Sequence, residues 1–333
     1  MGKLSDKIGS LKVMRGSLVF SGISLFIFSF IKDYSLTMVI VFIWSIINEA
    51  FRPANMSFIS DVVDASQRRT AFALSRLAIN LGMSIGPVIG GLLSLINFSL
   101  LFYVDGFTAL AAGAYLAFSK LHLNTPEVHT IQRGDPELKF AVLKDKAYLF
   151  FLVGIIPANI VFFQHIGAMP IFVVNDLGFT TAAFGLFAAV NTVLIIIAEV
   201  PLNEMMKNWT YKKSLFLGAL LCSIGFGGMA FVSGGTGLVV SIIIWTVGEM
   251  IYFPGTAAYV SEVAPPKKRG EYMGYFQVTF SIAFMLGPWL GTELYERLGA
   301  FNLWIIIFGI GMISVLFMMF IKERKEFPRK RES

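Results

Sequence analysis

Charge is scarce in this chain of 333 residues: Asp, Glu, Lys and Arg together make up 14% of it, against about 25% in ordinary soluble domains. A conventional soluble domain is thereby excluded. Cysteine is nearly absent; Cys222 is the only one, which rules out an intrachain disulfide and a cysteine cluster for a metal. The three histidines, His122, His129 and His165, do not form HExxH, and neither GxSxG nor a P-loop occurs. Zinc hydrolysis, serine hydrolysis and nucleotide phosphate chemistry therefore lack their residues. No cofactor or metal is expected, and an intramembrane enzyme remains only as an alternative to the reading below.

Apolar side chains fill the space that charge leaves. They make up 56% of the chain, with 33 Phe and a mean hydropathy of +0.72. A membrane-spanning helix needs about 20 mostly apolar residues, and ten runs qualify: 13–31, 36–60, 71–95, 99–120, 147–175, 180–202, 213–233, 236–261, 272–293 and 301–321. The run at 13–31 is too long for a cleavable signal peptide and lacks a small-residue cleavage site. The expected class is an all-α polytopic membrane protein. Of the 27 Lys and Arg, 23 fall on alternate loops that include the N-terminal residues and the tail, while Lys32 and Arg297 lie on the opposite side. The positive-inside rule puts the first set, and the C-terminus, in the cytoplasm. The formal charge of +6 is then a topology signal with some attraction to anionic lipid, and needs no nucleic-acid partner.

Residues 44–91 and 245–292 align without a gap at an offset of 201, with eight of 48 pairs identical. The identities include Pro53 with Pro254, Arg68 with Arg269, and Gly86, Pro87 and Gly90 with Gly287, Pro288 and Gly291. Such a repeat fixes architecture before local detail does. Shifting 147–175 and 180–202 back by the same offset places their counterparts before residue 1, so the first copy is expected to hold four helices of six. The corresponding domains are an incomplete N-terminal bundle over 1–120, a cytoplasmic linker over 121–146, a C-terminal bundle over 147–322 and a tail over 323–333. Either Met1 is an internal start or fragment boundary, or the protein has ten helices; upstream DNA separates the two.

The segment Gly2-Lys3-Leu4-Ser5-Asp6-Lys7-Ile8-Gly9-Ser10-Leu11-Lys12-Val13-Met14 resembles the loop signature of the major facilitator superfamily, with Ile8, Ser10 and Leu11 as departures. Glycine permits a tight turn there, Asp6 can face a helix N-terminus or a nearby cation, and Lys7 and Lys12 hold the loop in the cytoplasm. Gly82-Met83-Ser84-Ile85-Gly86-Pro87-Val88-Ile89-Gly90-Gly91 fits GxxxGPxxGG and is similar to the motif of that superfamily's drug:proton antiporters, although Leu74 replaces a further glycine. Glycines four apart allow close helix packing, and proline frees a carbonyl and bends the helix.

The resemblance implies two pseudo-symmetric six-helix bundles, here without the first two helices, rocking in alternating access about a central site, with Asp6 latching the halves in one state. It implies a secondary transporter in a bacterial cytoplasmic membrane, monomeric, exporting small apolar or amphipathic compounds against protons. A nutrient importer is the alternative, and a receptor or non-transporting fragment another. Val41 stands where drug exporters carry an arginine, so coupling through that arginine is not expected.

Ionisable groups inside spans are expensive and usually face a cavity or a partner. Over 36–60, Ser45, Asn48, Glu49, Arg52 and Asn55 share one helical face. Glu49 and Arg52, three apart, form either a structural ion pair or part of a transport site. In the mirrored run Thr246, Glu249 and Thr256 share a face, and the resemblance puts Glu49 and Glu249 on opposing cavity walls. Glu249 lacks a cationic neighbour in sequence, which makes it the better proton-site candidate. Arg76 and Asn80 form a smaller patch, and Asn159, Gln164 and His165 sit mid-span, the histidine reading more as a packing residue than a relay. Glu199 and Asp105, nearer span ends, read as solvated.

Overall fold

The structure, a computed structural model, describes residues 2–31, 33–119 and 141–321. Among these residues the regular elements are all helical: α1 Gly2–Ile8, α2 Ser10–Phe28, α3 Tyr34–Asn48, α4 Phe51–Val62, α5 Arg68–Ile96, α6 Ser99–Phe118, α7 Ala141–Lys144, α8 Lys146–Phe162, α9 Ala168–Asn175, α10 Thr181–Met205, α11 Tyr211–Gly228, α12 Gly235–Val263 and α13 Arg269–Met319. All ten apolar runs fall on these helices. Two of them share α13, which is divided at Gly299, whose φ of 76° lies in the left-handed region that glycine tolerates without a Cβ clash. Gly9, with φ of 96°, separates α1 from α2 in the same way. Of the expected linker only α7 and the start of α8 are described, and the expected tail lies outside the described residues.

Two runs expected as single helices are interrupted. Over 36–60 the helix breaks at Glu49 and Ala50. Pro53 cannot donate to the Glu49 carbonyl four residues back, and its ring crowds that carbonyl. Pro254, its repeat partner, leaves α12 continuous. There the carbonyl it frees, that of Met250, accepts a hydrogen bond from Asn203 Nδ2 of α10 at 2.9 Å. Over 147–175 the chain passes through a 3₁₀ turn at Phe163–His165 between α8 and α9.

The described residues form two compact units that do not follow chain order: one draws on 2–65, 82–119 and 264–274, the other on 66–81, 141–263 and 275–321. In the first unit α2 packs on α6, α4 and α3. A Cβ on Gly22 would stand 2.8 Å from the Gly106 carbonyl oxygen, so α2 and α6 meet backbone to backbone. Ser17 Oγ donates to the Ile47 carbonyl at 2.5 Å, and Arg15 Nε to the Leu116 carbonyl at 2.8 Å.

The first unit also holds the start of α13. Asp6 accepts from Gly270 N and Glu271 N, each at 2.7 Å, and so caps a helix distant in sequence. Lys3 and Lys268 pair with Glu271 at 3.3 and 3.1 Å, and Arg269 pairs with Asp61 at 2.5 Å. Burial, and after it the charge of Glu271, pushes the Asp6 carboxyl up to about 6 despite the two backbone bonds and Lys268. A released, solvated Asp6 has a value near 3.8, so the capped form holds more protons between those limits. Its stability is therefore fully present below about pH 4 and lost as pH rises through about 6. Hydrogen exchange at the Gly270 and Glu271 amides, corrected for intrinsic rate, should lose protection over that window. Asp6→Asn should remove the pH dependence and cost about 1 kcal/mol of cap stability.

In the second unit α12 is buried along most of its length against α11 and α10. A Cβ on Gly225 would stand 2.6 Å from Trp245 N, and one on Gly248 2.6 Å from Cys222 N, so α11 and α12 cross at a separation only glycine permits. Phe172, Phe226, Trp245 and Trp304 fill the core beside that crossing. This packing fixes the face of α12 that carries Glu249.

Candidate functional site

In the second unit three ionisable side chains from three helices converge. Arg76 lies about 12 Å along α5 from its start at 1.5 Å per residue, and its stem carries the guanidinium to two carboxylates. Arg76 Nε donates to Glu199 Oε1 of α10 at 2.6 Å, and Nη2 donates to Glu249 Oε1 of α12 at 2.8 Å. The guanidinium also sits over the Phe253 ring, 5.0 Å from its centroid, a placement that the ring's quadrupole favours. Glu199 is fully buried and Glu249 3% exposed.

Neutral amides complete the frame. Asn191 Nδ2 donates to Glu249 Oε2 at 2.7 Å and lies 3.0 Å from Thr246 Oγ1. Asn203 Nδ2 bonds the Glu199 backbone carbonyl at 2.8 Å as well as the Met250 carbonyl, which ties α10 to α12 at the level of Pro254. Both amides escaped the sequence reading, although an Asn in each of two apolar stretches on one helix, with Asn203 four residues from Glu199, is a readable signal. Glu199 does not sit in solvent as expected, because that tie holds it inside the unit. The apparent isolation of Glu249 in sequence is also lifted: its cation comes from residue 76, at a separation no local pattern reveals.

A wall of rings adjoins Glu249. His165 Nδ1–H donates to the Phe162 carbonyl at 2.7 Å, and its ring lies 4.5 Å from Phe162 and 6.2 Å from Trp245 by centroids. Phe162 lies 4.7 Å from Phe253. Trp245 Nε1 and both amide atoms of Asn159 are buried with no hydrogen-bond partner among the described residues. Gln164 is fully buried and spans two carbonyls, Ile160 at 3.0 Å and Gly287 at 2.8 Å.

The remaining expected residues lie elsewhere. Glu49 and Arg52, in the first unit, pair at 3.7 Å with both side chains more than half exposed, a geometry worth about 0–1 kcal/mol. Asn48 Oδ1 accepts from Ser21 Oγ at 3.2 Å, so it joins α3 to α2. The two glycine motifs are not equivalent. Gly287 and Gly291 press on α8 and its following turn, a Cβ at Gly291 falling 1.8 Å from Gln164 Oε1. At Gly82 and Gly86 no described atom lies within 4 Å of a Cβ, and at Gly90 only Leu101 Cδ2 does, at 3.6 Å. The close packing expected of that motif is therefore absent among the described residues.

The Major Facilitator Superfamily model matches residues 1–249 and again 165–333, two overlapping registers as a duplicated chain would give. The chain belongs to the major facilitator superfamily. It is thus a transporter and not an enzyme. Among curated relatives, the MFS-type transporter YqjV of Bacillus subtilis is 25% identical, with 96% of this chain and 79% of that protein covered. Multidrug resistance protein 1 of Bacillus subtilis is 24% identical, over 89% of this chain and 76% of its own. The crystal structure of the Escherichia coli fucose:proton symporter FucP superposes with a TM-score of 0.79 at 13% identity, over 97% of this major facilitator chain and 86% of that one. That last likeness concerns the fold alone.

Proposed function

We propose that this transporter exports small apolar or amphipathic compounds against an inward flow of protons, by alternating access. The observation that carries the reading is the charge balance of the Arg76 cluster. One guanidinium faces two carboxylates in a buried setting, so with both ionised the cluster is one positive charge short, a deficit that burial makes costly. A proton fills the deficit, and so does a cationic group on a substrate. Competition between the two for one vacancy is what antiport requires. The ring wall of Phe162, His165, Trp245 and Phe253 suits an apolar or aromatic body, and the unpartnered Trp245 Nε1 and Asn159 amide offer it hydrogen bonds.

The multidrug relative and the GxxxGPxxGG resemblance favour export. In this reading the chain works as a monomer in a bacterial cytoplasmic membrane, with its C-terminus in the cytoplasm, the side that its Lys and Arg distribution favours. The Asp6 cap on α13 is a contact that is broken and remade as the bundles rock. Cells or everted vesicles carrying the protein should lose accumulated ethidium, or take it up in the everted case, only while a proton gradient stands. Indifference to a protonophore would overturn the coupling, and gradient-driven uptake of a nutrient into cells would replace export by import.

A further inference from the structure

The two carboxylates that share Arg76 are not equivalent. Glu249 has a donor on each oxygen: Arg76 Nη2 on Oε1 at 2.8 Å and Asn191 Nδ2 on Oε2 at 2.7 Å. Glu199 has one, Arg76 Nε on Oε1 at 2.6 Å, while its Oε2 is buried with no partner among the described residues. One turn along the same helix, Asn203 Oδ1 is likewise buried without a donor. The cluster thus lacks one positive charge, and the carboxylate oxygen without a donor is Glu199 Oε2. A proton on Glu199 Oε2 removes both deficits, because it cancels the excess charge and creates an O–H one helical turn from an acceptor without a donor. On Glu249 a proton would have to displace a hydrogen bond already made.

We infer that Glu199 is the carboxylate of the cluster that gains and loses a proton, while Glu249, with a donor on each oxygen, is the fixed partner of Arg76. The charged groups acting on Glu199 are Arg76 from α5 and Glu249 from α12, and Glu249 also faces His165 and Cys222. Asn191 and Thr246 are positioning residues for Glu249, and Asn203 positions the backbone of Glu199. The assignment deepens the proton-coupled reading above and rests on it for its role in transport, although the protonation itself is measurable without any substrate.

Infrared difference spectra of the reconstituted full chain, recorded as pH is lowered, report the C=O stretch of a carboxyl that takes up a proton. An Asp6→Asn background removes the contribution of Asp6, which protonates at about pH 6. In that background the band should grow in the parent protein, be lost in Glu199→Gln and persist in Glu249→Gln. Should Glu199→Gln fail to fold, Glu199→Asp keeps a carboxyl at the site and should shift the band in frequency and in midpoint. A band that survives Glu199→Gln, stays unshifted in Glu199→Asp, or disappears only with Glu249→Gln overturns the assignment. If the band follows Glu199 while ethidium transport ignores the gradient, the assignment stands and the coupled-efflux reading falls. If transport follows the gradient and the band ignores Glu199, the outcome is reversed.

Discussion

Replacing Arg76 by methionine is expected to abolish transport and to lower the midpoint of thermal unfolding in detergent more than any other single change in the second unit. Methionine keeps the apolar stem and removes the guanidinium, which leaves Glu199 and Glu249 buried with no cation between them. Removing one partner of a buried ion pair costs about 3–5 kcal/mol, because the other is left uncompensated. Here two carboxylates lose the same partner, which places the effect at the upper end. The triple variant Arg76→Met, Glu199→Gln, Glu249→Gln should recover most of the midpoint, since replacing a whole buried cluster by neutral groups is often neutral or stabilising. Transport should stay lost in it. Arg76→Lys should fall between, for a point charge cannot reach two carboxylates with the spread donors of a guanidinium. A midpoint unchanged in Arg76→Met would show that the cluster carries no stability.

Gly291→Ala should be clearly destabilising, while Gly90→Ala, its repeat counterpart, should be close to neutral. A Cβ at residue 291 falls 1.8 Å from Gln164 Oε1, and the side chain that must yield is pinned by bonds to the Ile160 and Gly287 carbonyls. Overpacking costs about 1–3 kcal/mol and each hydrogen bond given up about 1 kcal/mol more. At residue 90 a Cβ would meet, among the described residues, only the end of Leu101 at 3.6 Å, an ordinary contact. Adding Gln164→Ala to Gly291→Ala should return part of the lost stability, short of wild type because the Gly287 carbonyl loses its donor. Unfolding midpoints of the four proteins in one detergent check the set, and equal losses at 90 and 291 would contradict the asymmetry.

That asymmetry shows where a sequence repeat stops being informative. Gly90 and Gly291 are identical letters at the 201-residue offset, yet one meets a side chain's end and the other meets Gln164. Pro53 and Pro254 are likewise paired, yet one helix breaks and the other runs on. At Pro254 the freed carbonyl is bonded by Asn203 of another helix. Proline chemistry is local and was legible; whether a freed carbonyl finds a donor depends on another helix and was not. The same holds for the charges. Asp6 facing a helix N-terminus was expected from its type and place, but that the helix would be α13 required the fold.

The sequence by itself determined the class, the ten apolar runs, the repeat and the superfamily resemblance, because hydrophobic length and repeat period are properties of contiguous residues. Only the tertiary structure decided which ionisable groups share a site. Arg76 and Glu249 are 173 residues apart in the chain and 2.8 Å apart in space. A buried charge is governed by its nearest partner and by the solvent it has lost, and neither is written in its neighbours along the chain. Burial and an unpartnered oxygen are the grounds on which we propose Glu199, where sequence isolation alone points to Glu249.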